Sequence, residues 1–185
     1  MKKILVTGCN GQLGRAIRNE YGNSAEFIKT DMIDMEGVIK LDISDLEAVR
    51  KVCADTNPDV IINCAAFTNV DGCEEKEDAA YQANAIRPKN LAIAAKENDI
   101  KLIHISTDYV FAGEGNKPYV ETDEPDPVSA YGRTKYAGEK FVKENCDKYF
   151  ILRTAWLYGD GKNFVKTMLN AAKTHDEVLV VCDQL

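Results

Sequence analysis

Short apolar runs alternate with amphipathic segments along the chain. The first run, Ile4-Leu5-Val6, has the length of a buried strand, and in the next segment the apolar positions recur at helical spacing. The alternation then continues to the end of the chain. Predicted strands cover residues 4–6, 26–30, 38–41, 59–64, 101–105, 149–153 and 178–181, and predicted helices cover 13–21, 44–55, 74–98, 129–145 and 163–174.

Local signals place some helix ends. Ser44 with Glu47 three residues later forms a capping-box pattern at the start of the second helix. Asn57-Pro58 ends that helix, because the residue before a proline disfavours helical geometry. Arg87-Pro88 predicts a break within the long helix 74–98, just after Asn84.

This alternation predicts an α/β fold. Strands joined by helices through short connections form parallel βαβ units, whose crossovers are right-handed. The expected result is a Rossmann-type doubly wound parallel sheet of about seven strands, with helices on both faces. The expected strand order is 3-2-1-4-5-6, with strand seven beyond, in one domain over residues 1–185.

Three glycines follow the first strand at the spacing G-x-x-G-x-x-G. Gly8 permits the turn, Gly11 lets the backbone approach a pyrophosphate, and Gly14 allows close packing of helix and sheet. The helix N-terminus then offers free N–H groups to phosphates. A loop that only turns a corner is the alternative, but the strand–turn–helix context favours dinucleotide binding.

Two further strand ends fit a dinucleotide crevice. Asp31 follows the second strand and is placed to accept hydrogen bonds from an adenosine ribose, although a solvated turn carboxylate is the alternative. Ala65-Ala66 follows the fourth strand, where small side chains leave room for a ligand or, equally, for close helix packing.

Composition excludes several classes of function. A net charge of −7 without a basic run argues against a nucleic-acid partner. The apolar runs are too short for a membrane span or a signal peptide, so we expect a cytoplasmic protein. None of the six cysteines forms a C-x-x-C pair, which indicates reduced structural thiols and no zinc site. His104 lies in an apolar strand and is interpreted as a packed residue.

A tyrosine–lysine pair is the candidate proton donor. Reduction of a ketone needs a proton for the developing alkoxide, and a lysine one helical turn away can lower the pKa of a tyrosine enough to supply it. The Y-x-x-x-K pattern occurs three times, at Tyr131/Lys135, Tyr136/Lys140 and Tyr158/Lys162.

Position favours the first pair. Tyr158 precedes Gly-Asp-Gly, which does not sustain a helix, and Tyr136 lies about 140° around the helix from Tyr131. Tyr131 begins its helix near the carboxyl edge of the sheet. Ser106 and Thr107 end the preceding strand and offer a hydroxyl partner. A half-buried tyrosine beside a solvated lysine is the alternative.

Several longer motifs strengthen this interpretation. The chain resembles the extended short-chain dehydrogenases, and most closely the dTDP-4-dehydrorhamnose reductase family, over its whole length. The motifs that carry the resemblance are TGCNGQLG at 7–14, NCAAFTNVD at 63–71, STDYVFAG at 106–113, YGRTK at 131–135 and RTAW at 153–156.

The resemblance implies roles for named residues. Tyr131 would donate the proton, Lys135 would tune it and hold the nicotinamide ribose, and Thr107 would polarise the ketone. Asp108 and Trp156 match positions near the sugar nucleotide. NADPH or NADH would be bound by Gly8, Gly11, Gln12, Leu13, Gly14, Asp31, Asp42, Ile43, Ala65, Ala66, Phe67, Ile105, Tyr131 and Lys135.

The resemblance also sets limits. Some members bind magnesium through a glutamate at the position of Ala16, so no metal is expected there. Members continue for roughly another hundred residues as a smaller substrate domain, so the chain is expected to end in the region leading to it.

The implied partner is a dTDP-sugar, and a homodimer is the assembly left open. Two alternatives are a non-catalytic cofactor-binding regulatory subunit and another sugar-nucleotide epimerase or dehydratase.

Overall fold

A six-stranded parallel sheet forms the centre of the molecule. The computed structural model describes residues 1–115, 117–161 and 163–180. The strand order is β3-β2-β1-β4-β5-β6, which confirms the predicted doubly wound topology. The strands are β1 (Lys2–Thr7), β2 (Ala25–Asp31), β3 (Ile39–Lys40), β4 (Val60–Asn63), β5 (Lys101–Thr107) and β6 (Tyr149–Thr154).

Helices cover the sheet on both faces. They are α1 (Gln12–Tyr21), α2 (Leu46–Thr56), α3 (Val70–Glu75), α4 (Glu77–Tyr81), α5 (Arg87–Glu97), α6 (Ala130–Asn145) and α7 (Phe164–Ala171). Leu5, Ile61 and Leu102 of the strands pack with α2, α5 and α6 in the larger core. Alternate strand residues such as Val6 and Ile62 point the other way, toward Ile17 of α1. None of the described helices is long and apolar enough to span a membrane.

The long predicted helix 74–98 is divided into several parts. Lys76 leaves helical geometry, with φ −135° and ψ 53°, and separates α3 from α4. A π-helical turn, Gln82–Ile86, then precedes α5. There the Arg87 N–H bonds to the carbonyl of Gln82, five residues earlier. Pro88, which has no N–H to donate, follows directly, so the predicted irregularity occurs just before it.

Three further boundaries differ from the predictions. The third strand is only two residues long, and both its side chains are exposed. Asp45 rather than Ser44 caps α2, because its carboxylate accepts the N–H of Ala48 at 3.1 Å. Residues 178–180 form no strand and their side chains are exposed, while Val181 lies outside the described residues. The described sheet therefore has six strands, where about seven were predicted.

Candidate active site

At Gly8 and Gly14, the turn after β1 is packed too tightly to accept a side chain. Gly8 has φ +61°, and a Cβ there would approach the Ala65 backbone to 2.9 Å. A Cβ on Gly14 would lie 2.6 Å from the Gly8 carbonyl oxygen. The turn, the start of α1 and the segment after β4 therefore meet at backbone distance, as a cradle for a pyrophosphate requires.

Charged side chains fix the shape of this turn. The Cys9 carbonyl accepts a hydrogen bond from Arg18 Nη2 at 2.9 Å, and the Asn10 N–H of the same peptide unit donates to Asp31 Oδ2 at 3.0 Å. Arg15 also donates to the Asn10 carbonyl. Asp31 therefore anchors the turn through one oxygen, a role that the sequence did not predict.

The N-terminus of α1 is left open to an anion. Gly11 occupies the cap position and gives the first turn no side-chain acceptor, whereas Asp45, Ser129 and Asn163 cap α2, α6 and α7. Gln12 and Leu13 begin the helix at this point. The uncapped N–H groups and the crowded glycines fit the phosphates of a dinucleotide.

Helix α5 holds the segment before α2. Asp42 Oδ1 accepts the Ser44 N–H at 2.9 Å, and this hydrogen bond lowers the pKa of the carboxyl. Arg87 Nη2 lies 3.6 Å from the same oxygen. Asn90 Nδ2 donates to the carbonyl of buried Ile43 at 3.0 Å. Asp42 and Ile43 are thus fixed at the carboxyl edge of the sheet.

Side-chain amides hold the segment after β4. Asn63 Oδ1 accepts the Thr7 hydroxyl at 2.7 Å and the Ala65 N–H at 3.2 Å. Asn84, in the π-helical turn, accepts the Phe67 N–H at 2.8 Å and donates to the Phe67 carbonyl at 3.1 Å. The backbone on either side of exposed Ala66 is therefore held in place.

The side chains of Thr107, Asp108 and Tyr131 lie together at the carboxyl end of β5. The Thr107 hydroxyl donates to Asp108 Oδ1 at 2.9 Å, and Tyr131 packs edge-on against Tyr109 with ring centroids 5.6 Å apart. Burial raises the pKa of Tyr131, while a hydrogen bond with the Thr107 side chain opposes the rise. The phenol therefore keeps its proton at neutral pH, as a proton donor must.

Lys135 lies in the protein interior, only 2% exposed. Its Nζ donates to the Ile105 carbonyl at 2.5 Å, and burial lowers its pKa to about 8. The sequence predicted that this lysine would lower the pKa of Tyr131. In the structure, burial is the largest influence on the pKa of Tyr131, and it raises that pKa. The side chains that also affect it are those of Thr107, Cys73, Asp108 and Tyr109.

The other two tyrosine–lysine pairs differ from the first in their surroundings. Lys140 Nζ lies over the Tyr136 ring, 4.6 Å from its centroid, as a cation–π pair. Tyr158 is in the loop after β6, and Lys162 lies outside the described residues.

Trp156 occupies the loop between β6 and α7. Its ring packs edge-on against Phe164, 5.2 Å between centroids, and it is 48% exposed. The next residue, Leu157, accepts a hydrogen bond from Gln12 Nε2 at 3.0 Å. The loop therefore leans on the start of α1, and no contact among the described residues joins Trp156 to Tyr131.

The whole sequence, residues 1–185, matches the family described as "RmlD substrate binding domain". The chain belongs to this family. It is 41% identical to the dTDP-4-dehydrorhamnose reductase of Escherichia coli K12 over 184 residues, covering 98% of this chain and 60% of that protein.

Two solved structures share the fold of this RmlD-family chain. A dTDP-4-dehydrorhamnose reductase from Clostridium acetobutylicum is 56% identical with a TM-score of 0.89, over 95% of this chain and 61% of that one. The reductase from Bacillus anthracis, in complex with NADP, is 41% identical with a TM-score of 0.86, over 96% of this chain and 62% of that one. The RmlD-family chain therefore spans about three-fifths of these relatives.

Sequence reasoning found one buried polar residue near this RmlD-family site and missed two others. His104, predicted to be a packed residue, is indeed fully buried, and its Nδ1 lies 3.0 Å from Asn63 Nδ2. Glu139 is also fully buried and hydrogen-bonds Ser106. Its place four residues after Lys135 was visible as an i, i+4 pair. The contacts of Asn84 with Phe67 had no local signal.

Proposed function

We propose that this chain supplies the dinucleotide-binding and proton-donating part of a dTDP-4-dehydrorhamnose reductase. The reaction would reduce dTDP-4-dehydro-β-L-rhamnose to dTDP-L-rhamnose with NADPH or NADH. One observation carries the proposal: a half-buried Tyr131, whose pKa is raised by burial, lies beside Thr107 at the same sheet edge as the crowded glycine turn. The names of the relatives and the NADP in one of them support it.

Each side chain has a distinct role in this proposal. The bound reduced nicotinamide supplies a hydride to the ketone carbon. Tyr131 gives its phenol proton to the ketone oxygen, and the Thr107 hydroxyl turns its single proton from Asp108 to that oxygen as charge develops. Lys135 holds the nicotinamide ribose. Asp108 and Trp156 are proposed to contact the sugar nucleotide.

The cofactor site is proposed to accept both NADPH and NADH. The glycine turn and the start of α1 would receive the pyrophosphate, and Asp42, Ile43 and the segment 65–67 would surround the adenosine. Asp31 has a second carboxylate oxygen, whose contact among the described residues is a long one of 3.4 Å from the Ile33 N–H. That oxygen suits a ribose 2′-hydroxyl and repels a 2′-phosphate.

The test separates binding from turnover. NADPH binding is measured by calorimetry, and oxidation of NADPH is then followed with the keto-sugar nucleotide. We expect Tyr131→Phe to bind NADPH normally and to lose about two orders of magnitude or more in turnover. Tyr136→Phe, five residues along the same helix, is the matched control and should be mild. Thr107→Val should also lower turnover, by removal of a donor to the oxyanion.

The alternatives predict different outcomes. NADPH binding without turnover, in every variant and also when a substrate domain from a solved relative is fused to the chain, would indicate a regulatory subunit. Conversion of the sugar without net NADPH consumption would indicate an epimerase or dehydratase. Equal losses in Tyr136→Phe and Tyr131→Phe would reject Tyr131 as the proton donor.

We also propose that residues 1–185 act as one dinucleotide-binding domain in the cytoplasm and that the protein forms a homodimer. The five described cysteines are free thiols, as a reducing compartment favours, while Cys182 lies outside the described residues. Phe150, Leu152 and Leu169 are exposed apolar side chains available for assembly. Sedimentation at several protein concentrations tests the dimer.

A further inference from the structure

A buried carboxylate lies directly behind the candidate site. Glu139 on α6 is completely inaccessible to solvent. It accepts a hydrogen bond from the Ser106 hydroxyl at 2.6 Å and from Arg153 at 3.0 Å and 2.7 Å, the last two as a bidentate pair. The three hydrogen bonds to this carboxylate replace the water that it loses on burial.

Glu139 joins three elements that carry site residues. It lies four residues after Lys135 on α6, its partner Ser106 immediately precedes Thr107 on β5, and Arg153 belongs to β6. Residues four apart on a helix share one face, so the carboxylate lies one turn from the lysine and on the same side. The lysine itself donates to the carbonyl of Ile105, next to Ser106.

We propose that Glu139 is a positioning residue for the candidate reaction: it is the buried counter-charge that keeps Lys135 an ammonium ion, and it ties that lysine to the strand end bearing Thr107. The effect of Glu139 on catalysis rests on the proposed function, whereas its effect on the charge of Lys135 does not. This role explains why a carboxylate that bonds neither Tyr131 nor Thr107 is buried beside them.

The surroundings of Lys135 leave Glu139 as its main source of negative charge. Burial lowers the pKa of Lys135, and Glu139 is the first of the charges that raise it again. Cys64 acts in the same sense, but burial raises the pKa of its own thiol to about 12, so it is neutral. His104 faces the lysine from β5, and burial together with the lysine charge keeps it neutral. Arg153 lies behind Glu139 and is paired with it.

The titration of Lys135 itself tests the proposal. The protein is labelled with ¹³C at lysine Cε, and the Lys135 signal is identified by its loss in Lys135→Met. In the unmodified protein the midpoint is expected near pH 8. Glu139→Gln keeps an oxygen for Ser106 and removes the charge, so the midpoint should fall by about one pH unit or more. Glu144→Gln, on the exposed end of the same helix, should leave it unchanged.

A second variant keeps the proposal testable if Glu139→Gln alone does not fold. Glu139→Gln leaves Arg153, whose side chain is only 18% exposed, without its partner, which destabilises the fold. The double variant Glu139→Gln/Arg153→Gln replaces both charges by amides, is expected to fold, and should still lower the Lys135 midpoint. An unchanged midpoint in a folded variant would overturn the proposal and leave Glu139 a structural residue. The titration needs neither cofactor nor substrate, so an absence of NADPH binding would reject the proposed function alone.

Discussion

Replacing Gly14 by alanine adds one methyl group where α1 meets the glycine turn. The new Cβ would lie 2.6 Å from the Gly8 carbonyl oxygen and 2.8 and 2.9 Å from atoms of Cys9. All three neighbours are backbone atoms, so no side chain can rotate away. Helix and turn must therefore separate by roughly 0.8 Å to restore an ordinary contact.

The separation should weaken cofactor binding more than it weakens the fold. Alanine stabilises a helix interior by about 1 kcal/mol over glycine, and overpacking costs about 1 to 3 kcal/mol, so we expect a net loss of stability below about 2 kcal/mol. A hydrogen bond from the turn to a phosphate, lengthened by that distance, is largely lost. Losing one charged hydrogen bond costs about 1.5 to 3 kcal/mol, or roughly tenfold to 150-fold in the NADPH dissociation constant.

Calorimetry with NADPH and urea denaturation measure the two effects. Gly113→Ala is the control, because nothing lies within 4 Å of the Cβ position of Gly113, although this glycine, unlike Gly14, has a positive φ of +81°. It should cost about 1 to 2 kcal/mol of stability through backbone strain and leave NADPH binding unchanged. A folded Gly14→Ala protein that binds NADPH within twofold of the unmodified chain would refute the reasoning.

Two further predictions concern Asp31 and His104. Asp31→Asn removes the charge but keeps an oxygen that can accept the Asn10 N–H. The affinity for NADPH should therefore rise several-fold relative to that for NADH. An unchanged ratio of the two affinities in calorimetry would show that the carboxylate does not face the ribose. Burial holds the pKa of His104 well below its ordinary 6.5, so the unfolded chain binds a proton that the folded protein refuses. Stability should therefore fall as the pH drops below 6.5, by at most about 1.4 kcal/mol per pH unit. His104→Gln should flatten this slope in denaturation curves.

Hydrophobic periodicity, together with the right-handed crossover rule, was sufficient to predict the order of the six described strands. In a parallel sheet the carboxyl ends of the strands share one edge, so Gly8, Asp31, Ala65 and Thr107 were expected there together. The exact elements depend on tertiary contacts that no local pattern encodes. The third strand, for example, is shorter than its apolar run because it pairs only at Thr30 and Asp31.

Side-chain partners were the least predictable feature. Asp31 fits the family position for a ribose contact, yet in the structure it holds a peptide unit of the glycine turn 21 residues earlier. The irregular turn around Asn84 depends on Phe67, 17 residues away. The raised pKa of Tyr131 follows from burial by surrounding elements, whereas the sequence showed only that a lysine stands four residues later.

The hydrogen bond between Thr7 and Asn63 joins the two central strands across 56 residues of sequence. Two other strands and two helices lie between them, so a large loop must close before β1 and β4 can pair. Such long-range parallel pairing makes folding slow, on the order of milliseconds to seconds. The glycine turn reaches its final shape only when the Ala65 backbone has arrived beside it. A dinucleotide should therefore bind after the folding barrier has been crossed, slowing unfolding while leaving the folding rate almost unchanged.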